Sequence, residues 1–390
     1  MNDITLSGEG DEGIVFEVHS LIEQLEHVTD ERKARGKRYR LSVLLVMVLL
    51  AKLSGEHKPA GIAQWLRLRQ CQLVQALGCK HRRVPSLNTI RRVLSQEGVR
   101  QELQGVLRRF LHQEYGGQQS VLVAIDGKTL RGTIPKGKTQ GVHLLAAYLP
   151  AEGVTLLQLP VANKENEIVA APRLLAALDL KGRVVCGDAM FTQRELSVQV
   201  LFQGADYIWL LKDNQPTLKS DVCQFFEPPR QAPGWRAPVL PETVSKTTKL
   251  GHGRLEQRTL RLIPDEHHYL DWPGLKQVLQ LERRVIQQTT GAVSTETVYG
   301  ITSLPPDKVT ARQLLDWIQG YWGIENGLHY RRDVSLQEDA LRMTNSALAE
   351  VMATLNSFIV GLVQKLGFNN LAAAQRQFEA NLTFALANFS

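Results

Sequence analysis

Cysteine is scarce in this chain. There are four in 390 residues (Cys71, Cys79, Cys186 and Cys223), with no Cys-x-x-Cys pair. A disulfide framework is therefore not expected, and a reducing cytoplasm is the natural setting. Cys71, Cys79 and His81 lie close in sequence but have no fourth ligand nearby, which argues against a structural zinc. No apolar run reaches the roughly 20 residues of a membrane span. The longest, Leu41 to Ala51, reads as a buried helix, so no membrane partner is expected. The acidic N-terminus lacks a signal-peptide pattern. Gly-x-Gly-x-x-Gly and Walker loops are absent, as are internal repeats and low-complexity segments.

Basic residues are missing from one place and crowded in the next. Residues 1–30 hold eight acids and no Lys or Arg, whereas residues 31–100 hold sixteen Lys/Arg against three acids. The whole chain carries +7, which suits a polyanionic partner. Within the run Arg32–Arg40, Arg35, Lys37 and Arg38 are candidate phosphate contacts, held next to the apolar helix 41–53. Short helices over 60–68 and 71–77 precede Pro85–Leu94. There Ser86 can cap a helix whose apolar face is Leu87, Ile90 and Leu94. Arg91 and Arg92 then project elsewhere, as in a helix-turn-helix reader of double-stranded DNA. A helix over 15–25 opens this region, and one over 99–113 closes it at Gly116-Gly117.

From residue 120 the pattern becomes α/β. Val121–Ile125 is a continuous apolar run, as in a central strand. Strands over 142–149 and 154–161 flank a turn, a helix follows over 168–178, and a strand covers 184–186. A helix over 193–202 and a strand over 207–211 complete the set. Prolines 228, 229, 233, 238 and 241 mark a loop-rich entry to four alternating runs, 243–249, 254–263, 278–286 and 295–302, read as an antiparallel β insertion. Thr310-Ala-Arg-Gln313 has capping-box spacing and opens a helix leading to Glu325. The tail from 345 is helical.

Two of these strands end on carboxylates, Asp126 and Asp188. Either could be a turn residue. Together with Glu325 they offer hard oxygen ligands for two Mg²⁺ ions, the arrangement that serves in-line phosphoryl transfer. At α-helical spacing Trp322, Glu325, His329 and Arg332 share one face. Gly320, Gly323 and Gly327 weaken that helix by about 1 kcal/mol each, which a close approach to the sheet or to DNA would explain.

The linked motifs Ala124–Gly132, Asn166–Ile168, Gly187–Met190, Asp206–Gln215, His252–Arg254 and Trp322–Asn326 resemble the DDE transposases of bacterial insertion sequences, in the H-repeat-associated branch. The resemblance covers roughly residues 15–375. It implies a ribonuclease-H-like catalytic domain (116–215 and 306–345) with a β-rich insertion (216–305). An all-helical DNA-binding domain (1–115) would precede it and helices (346–390) would follow. It implies catalytic and metal-holding roles for Asp126, Asp188 and Glu325, with two Mg²⁺ ions and Mn²⁺ as a substitute. It implies cleavage at terminal inverted repeats and joining of the 3′-hydroxyl to target DNA, by a homodimer in a synaptic complex. By position, Lys128, Arg131, Lys212, Asn214, His252, Arg254, Asn326, His329 and Arg332 are expected to contact DNA. The Tyr-x-x-Arg-x-x-x-Glu-x-x-x-x-x-x-Lys signature of related transposases is not kept: Ile318 and Tyr321 hold its Tyr and Arg positions, and Arg332 holds the basic one. A nuclease without strand transfer and a domesticated DNA-binding protein are the competing readings.

Overall fold

The structure is a computed structural model that describes residues 4–7, 13–16, 18–115, 121–162, 165–227, 240–251 and 253–387. The Gly116-Gly117 joint, most of the proline-rich entry and His252 lie outside these residues. A short hairpin, β1 (Ile4–Ser7) and β2 (Gly13–Phe16), comes first. Helices α1 (Val18–Leu25), α2 (Leu41–Leu53), α3 (Pro59–Leu68), α4 (Gln70–Ala76), α5 (Leu87–Leu94) and α6 (Glu97–Tyr115) follow. The chain then runs through β3 (Leu122–Thr129), β4 (His143–Leu149), β5 (Val154–Val161), α7 (Glu167–Ala176), β6 (Val184–Gly187), α8 (Arg194–Phe202), β7 (Asp206–Leu211) and α9 (Pro216–Phe226). Next come β8 (Thr243–Gly251), β9 (Arg254–Pro264), β10 (Gln277–Gln287) and β11 (Val293–Thr302). They are followed by α10 (Ala311–Tyr321), π-helical turns over Ile324–His329 and Arg331–Ser335, α11 (Ser346–Lys365) and α12 (Leu371–Ala387).

These residues divide into two compact units, each discontinuous in sequence. One comprises Ser120–Asp126 and Glu165–Ile324, the other Met1–Gln119, Gly127–Lys164 and Glu325–Ser390. In the first, β3 pairs parallel with β6, and β6 parallel with β7. The apolar runs Leu122–Ile125, Val184–Cys186 and Tyr207–Leu211 are buried, as parallel strands covered on both faces require. The insertion strands are not a separate module. β11 pairs antiparallel with β7, and β10, β9 and β8 continue the same sheet outward. Helix α9 packs on β10 and β11. It was not foreseen from the sequence; Pro216 sits at its first turn, a position that suits proline.

The second unit gathers α1 to α6, the β4–β5 hairpin and the C-terminal helices. Every residue of α2 is buried, including Lys52. In the long α11, Met352, Leu355, Phe358, Ile359 and Leu362 are buried, and the helix packs against α6 and β5. Its length and composition would fit a membrane span, against the sequence reading, but its apolar side chains serve this core. Ser86 caps α5 by accepting from the Thr89 N–H, as expected. Ten residues, 77–86, separate α4 from α5. That is longer than the three- or four-residue turn of a helix-turn-helix.

Candidate active site

Strand β3 does not stop at Asp126. It continues three residues further, so Asp126-Gly127 is strand and not turn. The register pairs Ile125 with Gly187. Asp126 and Asp188 are therefore the next residues along two adjacent parallel strands, whose spacing is roughly 4.8 Å. Gly187 is needed for this approach. A Cβ there would lie 2.7 Å from Phe191 Cδ2 and 2.9 Å from Ile125 Cγ1.

Asp188 is held firmly. Its Oδ1 accepts from the Met190 N–H at 2.9 Å, capping the tight turn Ala189–Phe191. Asn214 Nδ2 donates to the Ala189 carbonyl at 2.6 Å, Thr192 Oγ1 to the Leu210 carbonyl at 2.7 Å, and Gln215 Nε2 to the Thr192 carbonyl at 2.9 Å. Asn214 thus braces the turn under Asp188, so its amide has a structural task where a DNA contact was expected. Burial raises the Asp188 carboxyl above the usual range. The Met190 N–H and the Lys212 ammonium oppose this, and the Glu167 charge adds to it. Glu167 opens α7, whose N-cap Asn166 accepts from the Val169 N–H, and α7 packs on the Ala189–Phe191 turn. Lys212 is exposed.

In the other unit Glu325 is exposed, as is Asn326. The segment carrying them is wound with i→i+5 hydrogen bonds, a form that is rare and frequent at functional sites. That winding overturns the expectation of a shared α-helical face. His329 is largely buried. Its imidazole is pushed down to about 3 by burial and by the positive charges of Arg332, Lys128 and His143. It is therefore neutral at pH 7, not a cationic phosphate contact. Arg332 is fully buried, with Nε 2.9 Å and an Nη 2.8 Å from Glu338 Oε2. Glu338 Oε1 accepts from Asn356 Nδ2 at 2.8 Å. Arg332 has no exposed surface to offer DNA. Lys128 is buried and paired with Asp333, where a DNA contact was expected. At Gly327 the chain does approach the sheet closely, since a Cβ there would be 3.1 Å from Tyr148 Oη on β4.

Among the cations foreseen as DNA contacts, Arg35, Lys37, Arg38, Arg91, Arg92 and Arg131 are exposed, and Arg254 is half-buried at the start of β9. Among the described residues no three His, Cys, Asp or Glu side chains are grouped so as to hold a metal ion. Sequence reasoning passed over Asp333, Glu338 and Asp339.

A cryo-EM structure of a piggyBac transposase synaptic complex with hairpin DNA aligns with 95% of this chain and 78% of that chain, at 10% identity and a TM-score of 0.45. YncI of Escherichia coli O157:H7 is 27% identical over 353 residues, 89% of this chain and 88% of its own, and its name designates a candidate transposase. YhhI of Escherichia coli K12, designated an H repeat-associated candidate transposase, is 26% identical over 356 residues, 89% of this chain and 91% of its own. An uncharacterised protein encoded in the dhlA 3′ region of Xanthobacter autotrophicus is 32% identical over 287 residues, 72% of this chain and 94% of its own. The DDE_Tnp_1-associated family model matches residues 22–111, and the transposase DDE domain model matches residues 117–360. With well over half its length matched, the chain belongs to the transposase DDE domain family.

Proposed function

We propose that this protein is an active insertion-sequence transposase. It would bind terminal inverted repeats, cut at the element ends and join the freed 3′-hydroxyl to target DNA. Asp126, Asp188 and Glu325 are its catalytic acids. The observation that carries the reading is the register of β3 and β6, in which Ile125 pairs with Gly187, so that Asp126 and Asp188 each directly follow one member of a matched pair. The parallel β3, β6 and β7, with an antiparallel hairpin and a helix between the first two in sequence, suit a ribonuclease-H-like fold.

Transposase DDE domains use divalent metal ions. The residues here fit such a group. They are hard carboxylate oxygens, and burial, with the Glu167 charge adding to it, raises the Asp188 carboxyl above its ordinary value against the opposing Met190 N–H and Lys212 charge. A dication would relieve that. The three acids would hold two Mg²⁺ ions, with Mn²⁺ as a substitute. When bound, such ions activate the attacking oxygen and stabilise the leaving one. The protein's own task is orientation. Gly187 and the braced Ala189–Phe191 turn fix Asp188 on its strand end. Exposed Lys212 lends positive charge beside it. In cleavage a water oxygen bonds to phosphorus and the element's 3′-oxygen leaves. In joining, that 3′-oxygen bonds to a target phosphorus and a target 3′-oxygen leaves.

The exposed Arg35, Lys37, Arg38, Arg91 and Arg92 supply phosphate contacts, with Arg131, Arg254 and Asn326 nearer the chemistry. Two ends must be synapsed, so the working form is a homodimer on DNA in the bacterial cytoplasm. The test is an assay with labelled element ends, a supercoiled target and Mg²⁺ or Mn²⁺, using the intact protein and Glu325→Gln. Metal-dependent nicking plus joined product, both lost in Glu325→Gln with DNA binding kept, is expected. Nicking without joining would move the protein to the nucleases. Binding without nicking in either metal would make it a domesticated DNA-binding protein.

A further inference from the structure

The stretch Lys128-Thr-Leu-Arg-Gly132 begins two residues after Asp126, and the proposed chemistry gives a task only to its Arg131. Within its own unit it is laced to residues 333–343. Lys128 Nζ lies 2.5 Å from Asp333 Oδ1 and 3.7 Å from Asp339 Oδ1, with its side chain 8% exposed. The Arg131 N–H donates to Asp339 Oδ1 at 3.1 Å. The Met343 N–H donates to the Gly132 carbonyl at 3.1 Å. The backbones approach so closely that a Cβ at Gly132 would overlap the Leu341 carbonyl oxygen, so only glycine fits there. On the far side, Asp333 sits in the second π-helical stretch beside Arg332. Glu338 ties Arg332 to Asn356 of α11. The ammonium therefore lies between two carboxylates on a backbone that is itself pinned.

We infer that Lys128, Asp333 and Asp339 form a positioning clamp for the reaction. The clamp fixes the chain two residues after Asp126 to the chain eight residues after Glu325, both within one unit, and so holds the backbone that leads from each of these acids. This rests on the proposed function. None of the three clamp residues touches a reacting atom; they act through the backbone leading to the acids, one step further out than the hydrogen-bonding partners of metal ligands. Lys128 is buried and Asp333 is one-third exposed, so salt screens the pair less than it would a fully exposed one. Lys128 is engaged by the protein's own carboxylates, Asp333 and Asp339.

The test uses the full-length protein carrying Lys128→Met, Lys128→Arg, Asp333→Asn, or the exchange Lys128→Asp with Asp333→Lys. Single-turnover cleavage, DNA affinity as a function of salt, and Mn²⁺ affinity from the paramagnetic resonance of free Mn²⁺ would be measured. Lys128→Met and Asp333→Asn should each lower cleavage and Mn²⁺ affinity by about 10–100-fold, the range for lost partners of ligating residues. Their DNA affinity and salt slope should stay unchanged. Lys128→Arg should keep most activity, which guards against mere misfolding, and the exchange should recover part of what either single change loses. A Lys128→Met protein whose salt slope falls by about 0.9, the value of one phosphate contact, beside an Asp333→Asn protein that cleaves normally, would overturn the clamp. The two readings fail separately. If Glu325→Gln cleaves like the parent, the assignment of the acids falls. If Glu325→Gln is inactive while Lys128→Met and Asp333→Asn cleave normally, the clamp alone falls.

Discussion

Two groups of cations in this protein look alike in sequence and are used in opposite ways. Along the N-terminal helices, Arg35, Lys37, Arg38, Arg91 and Arg92 are exposed. Around the segment after Glu325, Arg332 and Lys128 are buried against Glu338 and Asp333. Basic charge on the surface is available to a polyanion, whereas basic charge in the interior is bound to its partner and holds chain segments together. Even the N-terminal run is mixed. Arg32 is buried, donating to Asp30 at 2.8 Å and to the Tyr39 carbonyl at 2.6 Å. Position near a proposed acid is thus a poor guide to DNA contact, and exposure is a better one.

The comparison is broken most forcefully at Arg332. Its removal as Arg332→Met leaves Glu338 as a buried charge with a lost partner and should cost about 3–5 kcal/mol, read from denaturant midpoints. Arg38→Ala, on the exposed side, should stay within about 0.5 kcal/mol. Similar losses for both would erase the distinction.

Lys52 sharpens the same contrast. It is fully buried in α2, its Nζ finds no hydrogen bond among the described residues, and burial pushes it down to about 8 despite the nearby Glu338 charge. That value corresponds to about 3 kcal/mol against the charged form. Because the folded-state value lies below the unfolded one, the unfolded chain binds the extra proton between about pH 8 and 10.5. The penalty is full below pH 8 and fades as pH rises through that window. Lys52→Met should be more stable than the parent at pH 7, with the gap closing toward pH 10 in thermal melts. A gap that does not change with pH would contradict the burial argument.

Smaller effects are expected at the DNA-facing residues. Arg91→Ala and Arg92→Ala should each weaken binding with little change in stability. Each should also reduce the slope of log affinity against log salt by about 0.9. A stability loss without a slope change would place them in the fold and not on DNA. A modest stability effect is expected at a helix cap: Asn345 accepts from the Leu348 N–H at 2.8 Å, and Asn345→Ala should cost about 1 kcal/mol.

Much of the architecture was legible in the residues. Continuous apolar runs marked β3, β6 and β7, the Pro150–Gly153 turn marked the β4–β5 hairpin, and Thr310 with Gln313 forms the capping box as spaced. Strands 243–249 to 295–302 were placed within a few residues. The misses share a cause. A 3.6-residue period was assumed for Trp322–Arg332, and the chain there is wound more widely, so His329 and Arg332 turn inward while Glu325 stays exposed. The β3 strand runs through Asp126-Gly127 because its continuation is anchored at Lys128 and Gly132 by residues some 200 positions away. Local sequence shows the sign of a charge but not the partner that neutralises it.

The most direct measurement is nicking of element-end DNA in Mg²⁺ by Asp126→Asn, Asp188→Asn and Glu325→Gln proteins. Asp213→Asn, an exposed acid paired with Lys219 at 2.9 Å, serves as the control. The account predicts that all three lose nicking while binding DNA and melting cooperatively, and that the control nicks like the parent. A folded Asp126→Asn, Asp188→Asn or Glu325→Gln protein that nicks at the parent's rate would contradict it.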